Sequence, residues 1–146
     1  MTKPKAVICD LDGTLCDTSH RVHYMRQQPK LRDEFHSELV NDPLNTYVRG
    51  LLQWARPDHQ LILLTCRPNN YELLTIEWLA NNSVYYDQLI MRAQYDTRPD
   101  AEVKAGIYHY EIEPHYDVKL VLEDKTEVVI MWRDLGLQCW QVQKWD

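Results

Sequence analysis

The stretch "KAVICDLDGTL" (residues 5–15) joins an apolar run to two aspartates that are separated by a single residue. The run "AVIC" (6–9) has no polar position, which is typical of a parallel strand buried on both faces. Two carboxylates at the end of a buried strand cost free energy unless a cation or hydrogen-bond donors face them. The stretch therefore predicts a central parallel strand that ends in a binding site.

Four further short apolar runs have the same character and are separated by helical patterns. They are "LILLT" (61–65), "QLIM" (88–91), "VKLVL" (118–122) and "QCWQV" (138–142). Alternating strands and helices favour right-handed crossovers and a parallel sheet with helices on both faces. We therefore expect an α/β fold, a Rossmann-like three-layer sandwich around a five-stranded parallel sheet.

Two of the helical patterns allow detailed predictions. In "NDPLNTYVRGLLQWAR" (41–56), Asp42 is predicted to be the N-cap residue and Pro43 the first helical residue. In "NNYELLTIEWLANNS" (69–83), a broad apolar face is expected to pack on the sheet. That face comprises Leu73, Leu74, Ile76, Trp78 and Leu79.

Residues 15–41 do not fit the alternation of strands and helices. They contain few aliphatic residues, three histidines and four basic residues, namely Arg21, Arg26, Lys30 and Arg32. We expect a partly helical insertion after the first strand, which would form a small cap over the carboxyl edge of the sheet. The whole chain, 1–146, is expected to form one domain that includes this insertion.

Composition excludes several classes of protein. Apolar residues make up 45% of the 146 residues and charged residues 26%, as in soluble globular proteins. The sequence contains neither an apolar window of membrane-spanning length nor a signal-like N-terminus, so we expect a cytoplasmic protein without a membrane partner. The net charge of −6 argues against an extended nucleic-acid groove. Four cysteines without CxxC spacing favour free thiols over a disulfide framework or a zinc cluster.

Charged residues follow the predicted strands where the strands end. The ends read "CDLDGT", "LTCRP", "IMRAQYD" and "LEDKT". Ligands of open α/β sheets bind at the carboxyl ends of the strands, so these residues are expected to meet at one edge. Carboxylates and cations that converge in this way indicate a site for a metal ion and a phosphate group.

The acidic residues at this edge have the types that metal-assisted phosphoryl transfer requires. Asp10 and Asp12 together with Asp124 are predicted to hold Mg²⁺, which prefers oxygen ligands. Asp10 is predicted to be the nucleophile that forms an aspartyl-phosphate. Asp12 is predicted to protonate the leaving oxygen and later to deprotonate the attacking water. Gly13 permits the tight turn that brings both carboxylates around one phosphate.

Thr65 and Lys104 complete the pattern. Thr65 ends the second strand and is predicted to donate its hydroxyl to a phosphate oxygen. Lys104 lies in the first turns of the following helix, where it would stabilise negative charge in the transition state. Each residue alone has a structural interpretation, a strand-end hydroxyl or a solvated lysine. The joint occurrence of DxDGT, threonine, lysine and an acidic pair favours the catalytic interpretation.

These motifs resemble those of the haloacid dehalogenase (HAD) superfamily of phosphatases. The superfamily has DxDGT/V, a Thr or Ser, a Lys and an acidic cluster, which correspond here to "DLDGT" (10–14), Thr65, Lys104 and "ED" (123–124). The resemblance covers nearly the whole chain and implies a HAD-like fold.

Three longer stretches resemble the 3′-phosphatase domain of the bacteriophage polynucleotide kinase/phosphatase. They are "KPKAVICDLDGTL" (3–15), "DTRPDAEVK" (96–104) and "PHYDVKLVLEDKTEVVIMWRDLGLQCWQV" (114–142). The resemblance implies that Asp10 is the nucleophile, Asp12 the acid–base group and Asp124 a magnesium ligand. We expect Glu123 to reach the metal through water. The resemblance further implies that Arg21 and Arg67 contact the phosphate and that Asp100 and Lys104 complete the site. Gly13 and Thr14, the last residues of the first motif, are also expected to bind phosphate.

The chain departs from the phage pattern at two motifs. Thr65-Cys66-Arg67 replaces Ser-Gly-Arg, and Glu123-Asp124 replaces two aspartates. None of the four glycines forms GxxxxGK[ST], so we expect no nucleoside-triphosphate site and no 5′-kinase activity in this sequence.

Other polar and aromatic residues have competing interpretations. Tyr24 and Tyr95 flank the predicted site, where they could stack on a nucleobase. The HxxH spacing of His20 and His23 resembles half of a zinc site, but contacts to substrate at the rim are favoured. Trp132, Trp140 and Trp145 are interpreted as core and C-terminal packing residues.

The sequence thus favours a Mg²⁺-dependent phosphomonoesterase that acts on a phosphorylated nucleic-acid end, DNA or RNA, and leaves a 3′-hydroxyl. The alternative is a phosphatase of nucleoside monophosphates or other small phosphate esters, which the acidic net charge favours. A non-catalytic phosphate-binding module is disfavoured because Asp10 and Asp12 are both present.

Overall fold

The computed structural model describes residues 2–145, and its centre is one sheet of five parallel strands. The strand order is β3-β2-β1-β4-β5, and each apolar run of the sequence is one of these strands. Ile8 pairs with Ile62 on one side and with Val121 on the other, which places β1 at the centre. The bounds are β1 Lys5–Cys9, β2 Gln60–Pro68, β3 Gln88–Arg92, β4 Asp117–Glu123 and β5 Cys139–Gln141.

Within the described residues, five α-helices connect the strands or lie in the insertion. They are α1 Arg32–Ser37, α2 Thr46–Ala55, α3 Glu72–Asn81, α4 Asp100–Ile107 and α5 Thr126–Asp134. Short 3₁₀ segments occupy Val22–Arg26, Glu38–Asn41 and Asn69–Tyr71, and a π-helical turn, Tyr108–Ile112, extends α4. No helix within residues 2–145 is both long enough and apolar enough to cross a membrane.

The helices form two layers because successive strand residues point to opposite faces of the sheet. On one face, Val7 and Leu63 pack against α2 and α3. On the other, Ile8 and Ile62 pack against α4 and α5. Both faces are therefore buried, which explains the continuous apolar runs. The predicted α/β three-layer sandwich with a five-stranded parallel sheet is confirmed.

The prediction that Asp42 is an N-cap residue is wrong. Helix α2 begins at Thr46, and Asn45 occupies the N-cap position without a side-chain capping bond. Asp42 is instead buried and accepts hydrogen bonds from Arg21. Its carboxylate is committed to a buried cation, so it cannot cap a helix.

The predicted apolar face of α3 is wrong at two positions. Leu73 is 82% exposed and Ile76 is 38% exposed, whereas Thr75, Trp78 and Leu79 are buried. With 3.6 residues per turn, positions 75, 78 and 79 share one face of a helix, while position 73 lies on the opposite face and position 76 on the flank. The high apolar content of this helix obscured which side faces the sheet.

The insertion after β1 contains α1 and two of the 3₁₀ segments. Leu15, Cys16 and Leu39 anchor it in the core beneath α2 and α3. Arg21 is fully buried within it, although the local sequence is basic and polar. The function of this segment as a cap stays a prediction.

Candidate active site

The turn after β1 brings the aspartates of the first motif close to the end of β4. The Asp10 backbone N–H donates to the Leu122 carbonyl oxygen over 3.0 Å, which ties the turn to β4. Gly13 adopts φ +83°, and a Cβ at this position would lie 2.0 Å from Asp124 Oδ2. The turn therefore requires glycine both for its backbone conformation and for the close approach of Asp124.

Asp10 is buried and held at both carboxylate oxygens. Lys104 Nζ lies 2.8 Å from Oδ1, and Thr14 Oγ1 donates to Oδ2 over 3.0 Å. The same lysine nitrogen lies 2.8 Å from Glu123 Oε2. Burial would lower the pKa of Lys104, but the charges of Asp10 and Glu123 raise it well above its usual value. The lysine is therefore a permanent cation between two carboxylates.

Asp10, Glu123 and Asp124 form an acidic cluster whose ligand oxygens lie within 4.8 Å of one another. Burial and the charge of Asp10 raise the pKa of Glu123 to about 7 and that of Asp124 to about 9. Lys104 alone does not compensate the negative charge that the three groups carry when ionised. A buried set of carboxylate oxygens with excess negative charge fits a hard divalent cation, so these residues could hold a metal.

The Asp12 carboxylate lies outside the acidic cluster and is bound by two arginines. Its Oδ1 accepts hydrogen bonds from Arg21 Nη2 at 2.6 Å, from Arg67 Nε at 3.0 Å and from Arg67 Nη2 at 2.6 Å. Burial would raise the pKa of Asp12, but the charges of Arg67 and Arg21 outweigh burial and hold it well below its usual range. The predicted metal-ligand and acid–base roles of Asp12 stay predictions.

Arg21 and Arg67 are buried and fixed by further partners. Arg21 Nε and Nη2 donate to the Asp42 carboxylate at 2.8 and 2.7 Å, and the guanidinium lies 4.2 Å from the centre of the Phe35 ring. Arg67 Nη1 donates to Thr75 Oγ1 over 3.1 Å. Two guanidinium groups thus converge on one carboxylate beside the proposed nucleophile.

The end of β2 supplies the second motif. Thr65 is buried, and its Oγ1 accepts the Arg67 backbone N–H over 3.1 Å. Cys66, which stands where the phage pattern has glycine, is half-buried and lines the cleft beside Thr65. Burial raises the pKa of the Cys66 thiol to about 12, so the thiol is protonated near neutral pH.

Asp100 begins α4 and bridges two cations. Arg92 Nη2 lies 2.5 Å from its Oδ1, and Lys125 Nζ lies 3.1 Å from its Oδ2. Arg92 also donates to the Cys66 carbonyl oxygen over 3.1 Å. Asp100 therefore belongs to the wall of the site, at the junction of β3, α4 and the loop after β4.

These residues line an open cleft of about 1180 Å³ at the carboxyl edge of the sheet. Asp10, Thr65 and Lys104 lie in its floor. Side chains of the insertion form one wall, and basic residues stand along the cleft, namely Lys30, Arg32, Arg98 and Lys125. Tyr24 and Tyr95, the predicted stacking residues, are not among the described residues that line it.

The structure thus groups the predicted residues into three connected sets. The first contains Asp10, Thr14, Lys104, Glu123 and Asp124. The second contains Asp12, Arg21, Thr65 and Arg67, and the third contains Asp100.

Three residues around the site were missed or misread in the sequence. The sequence pattern predicts that Asp42 caps a helix, but in the structure His20 and Arg21 both bind its carboxylate. Arg92 could have been found, because it is an arginine at the end of a predicted strand. The sequence predicts only a packing role for Trp145, yet its indole N–H donates to Asp124 Oδ2 over 2.7 Å. No local sequence signal indicates this last contact.

Comparisons with known proteins identify the family of the chain. The sequence model of the phosphatase domain of polynucleotide kinase PNKP, a HAD family, matches residues 4–146. A protein of Autographa californica nuclear polyhedrosis virus, described as a bifunctional polynucleotide kinase/RNA ligase, is 30% identical over 138 residues. That match covers 92% of this chain and 18% of the viral protein.

Solved structures share the fold. A chain of the Pnkp1/Rnl/Hen1 complex superposes with a TM-score of 0.88 at 38% identity, covering 100% of this chain and 48% of that one. The class C acid phosphatase from Bacillus anthracis shares the fold, with a TM-score of 0.65 at 13% identity, over 98% of this chain and 70% of that one.

The match to the family model extends over nearly the whole chain, while the chain spans less than half the length of the viral relative and of the Pnkp1/Rnl/Hen1 chain. The resemblance to HAD-superfamily phosphatases and to the polynucleotide kinase/phosphatase is confirmed. The DxDGT turn, the buried lysine and the acidic cluster therefore belong to a phosphatase, and the chain is a member of the PNKP phosphatase-domain family of the HAD superfamily.

Proposed function

We propose that this chain removes 3′-phosphates from polynucleotide ends through an aspartyl-phosphate formed on Asp10 and that the reaction requires Mg²⁺. The observation that carries the proposal is the setting of Asp10. It is 6% exposed, opens onto the cleft, and has Lys104 and Thr14 on its two oxygens. A carboxylate oriented in this way beside a fixed cation is suited to attack phosphorus.

The acidic cluster of Asp10, Glu123 and Asp124 fits a magnesium ion by its donor chemistry. Asp10 and Asp124 would hold Mg²⁺, with Glu123 beside them. The ion would reduce the repulsion between the Asp10 carboxylate and an anionic phosphate group. Lys104 contributes the same kind of compensation through its contact with Asp10.

Asp12 is the proposed acid–base group. It lies two residues after the nucleophile, and it would give a proton to the leaving 3′-oxygen as the ester P–O bond breaks. It would then take a proton from the water that hydrolyses the aspartyl-phosphate. Arg21 and Arg67 keep Asp12 ionised in the free protein, so a proton on Asp12 requires that these arginines turn toward the phosphate oxygens of a bound substrate.

A polynucleotide end is the substrate class that the surroundings favour. The cleft is open, so a chain end can reach Asp10 without passing through a closed lid, and basic side chains line its walls. The names of the relatives, a polynucleotide kinase/RNA ligase and a Pnkp1/Rnl/Hen1 complex, support a nucleic-acid substrate.

The proposal is tested by turnover of 3′-phosphorylated DNA and RNA oligomers beside a panel of nucleoside monophosphates. We expect the oligomers to be preferred by at least an order of magnitude in kcat/KM and EDTA to abolish activity until Mg²⁺ is restored. D10N is the inactive control. Preference for free mononucleotides would instead establish the small-molecule phosphatase, which the net charge of −6 favours.

A further inference from the structure

Trp145 contacts the acidic cluster, although it lies outside every motif of the family pattern. Its indole Nε1–H donates to Asp124 Oδ2 over 2.7 Å, and its side chain also lines the cleft. Trp145 is 48% exposed, so burial of the ring alone does not account for its position. The hydrogen bond is the specific contact that it makes with the site.

The two oxygens of Asp124 have different surroundings. Oδ1 lies 3.3 Å from Thr14 Oγ1, which also donates to Asp10, so Oδ1 faces the nucleophile. Oδ2 lies against the backbone of Gly13 and accepts the Trp145 bond. The carboxylate is therefore clamped, with one oxygen turned toward the interior of the cluster and the other held on its outer side.

The chain around Trp145 is fastened to the same loop. The Val142 N–H donates to the Glu123 carbonyl oxygen over 3.0 Å. Gln141 Nε2 donates to the Asp124 carbonyl oxygen over 2.9 Å and to Thr126 Oγ1 over 3.0 Å. Residues 141–145 are thus held along the loop that carries Glu123 and Asp124, and the Trp145 side chain makes the last of these contacts.

We propose that Trp145 is a positioning residue for the metal site, because its indole N–H fixes the Asp124 carboxylate so that Oδ1 is presented to a divalent cation. The inference rests on the proposed function, since it assumes that Asp124 is a metal ligand. Hydrogen bonds to the outer oxygen of a ligating carboxylate set its orientation, and their loss typically weakens metal binding about 10–100-fold.

The test compares W145F with W140F in the full chain. Phenylalanine keeps an aromatic ring at either position but removes the indole N–H, and Trp140 is a half-exposed residue of β5 outside the site. The Kd of Mg²⁺ is measured by isothermal titration calorimetry. We expect W145F to bind Mg²⁺ about tenfold more weakly or worse and W140F to bind like the wild type. The Mg²⁺ concentration for half-maximal activity should rise in parallel, while kcat at saturating Mg²⁺ recovers.

The outcomes separate this inference from the proposed function. If the wild-type chain itself binds no Mg²⁺, both are overturned. If the wild type binds Mg²⁺ and W145F binds it equally well, only the role of Trp145 is overturned. A metal-free melting temperature that falls in W145F by more than a few degrees would assign Trp145 to fold stability and would also overturn the proposal.

A second measurement does not depend on the folding of a variant. The NMR signal of the Trp145 indole N–H in the wild-type chain is expected to shift when Mg²⁺ is added. A signal that stays in place at saturating Mg²⁺ would contradict the proposal.

Discussion

Lys104 and Asp10 form a buried ion pair with an Nζ–Oδ1 distance of 2.8 Å, although they lie 94 positions apart in the sequence. The lysine is 3% exposed and simultaneously binds Glu123. It is therefore the positive charge that allows two carboxylates to share a buried site.

Replacement of Lys104 by methionine should damage stability and activity together. Removing one partner of a buried ion pair costs about 3–5 kcal/mol, and the loss of a cation at the reacting phosphate should lower kcat about 100-fold or more. Urea unfolding with and without Mg²⁺ measures the first effect, and phosphatase assays measure the second. K119M is the matched control, because Lys119 pairs with Asp117 at the surface. Equal stability of K104M and K119M would contradict the prediction.

Replacement of Gly13 by alanine should destabilise the chain, whereas the same change at Gly106 should not. At Gly13 the positive φ is strained for alanine, and the new methyl group would collide with Asp124 Oδ2. We expect a loss of about 1–3 kcal/mol in unfolding free energy and weaker Mg²⁺ binding. Gly106 lies within α4, where a Cβ would meet no described neighbour within 4 Å beyond its own helix, so alanine there should stabilise by about 0.5–1 kcal/mol. Chemical denaturation of both variants, with calorimetric Mg²⁺ titrations, distinguishes them.

Replacement of Asp12 by asparagine should affect substrates according to their leaving groups. A 3′-oxygen needs a proton as it leaves, so we expect D12N to lose about 10²-fold or more in rate on 3′-phosphorylated oligomers. With p-nitrophenyl phosphate as substrate, the p-nitrophenolate leaving group needs no proton. Its release should therefore show a burst of one equivalent per chain as phosphorylated Asp10 accumulates. Stopped-flow absorbance records the burst, which D10N should lack. The same loss on both substrates without a burst would disprove the acid–base assignment.

Lowering the pH should reduce the unfolding free energy of the chain, partly through protonation of His36. Its burial lowers its pKa to about 4, while the opposite charges of nearby Asp12 and Arg21 partly cancel. Because the unfolded chain binds a proton at this histidine near pH 6.5 and the folded chain does not, stability is lost as pH falls from about 6.5 toward 4, by up to about 3 kcal/mol.

The His36→Phe variant tests this contribution. Phenylalanine preserves the aromatic contact with Tyr71, whose ring centroid lies 5.0 Å away, and removes a buried Nδ1 that has no hydrogen-bond partner in the described structure. Between pH 7 and pH 4, the unfolding free energy should fall less steeply with decreasing pH in H36F than in the wild type. H109Q, at an exposed histidine, is the control. The same pH dependence of the unfolding free energy in H36F and the wild type would exclude His36 as a source of acid sensitivity.

The strands and several residues of the candidate site could be predicted because their sequence signals are local. A strand buried on both faces is a continuous apolar run, and Asp10, Thr65 and Glu123 lie at the ends of such runs. Parallel topology then brings these ends to one edge, whatever the distance along the chain. The acidic cluster needed no further information.

The surrounding contacts could not be predicted because their partners are distant and unrelated to any pattern. Asp42 stands before a proline at a typical helix start, but Arg21 binds it from 21 residues away. Leu73 is as apolar as Leu79, and only the direction in which α3 packs distinguishes them. Trp145 reaches Asp124 through the path of the chain after β5, which composition does not encode.

The excess of carboxylates over cations in the acidic cluster has a consequence for the lifetime of the protein in a cell. An ion that binds only the folded chain stabilises it by mass action, by about 2.7 kcal/mol at a concentration one hundred times its Kd. If the cluster binds Mg²⁺ as proposed, a larger fraction of the chains would be unfolded and open to proteases when this ion is scarce. The abundance of this phosphatase would then follow the supply of the ion, without a separate regulator.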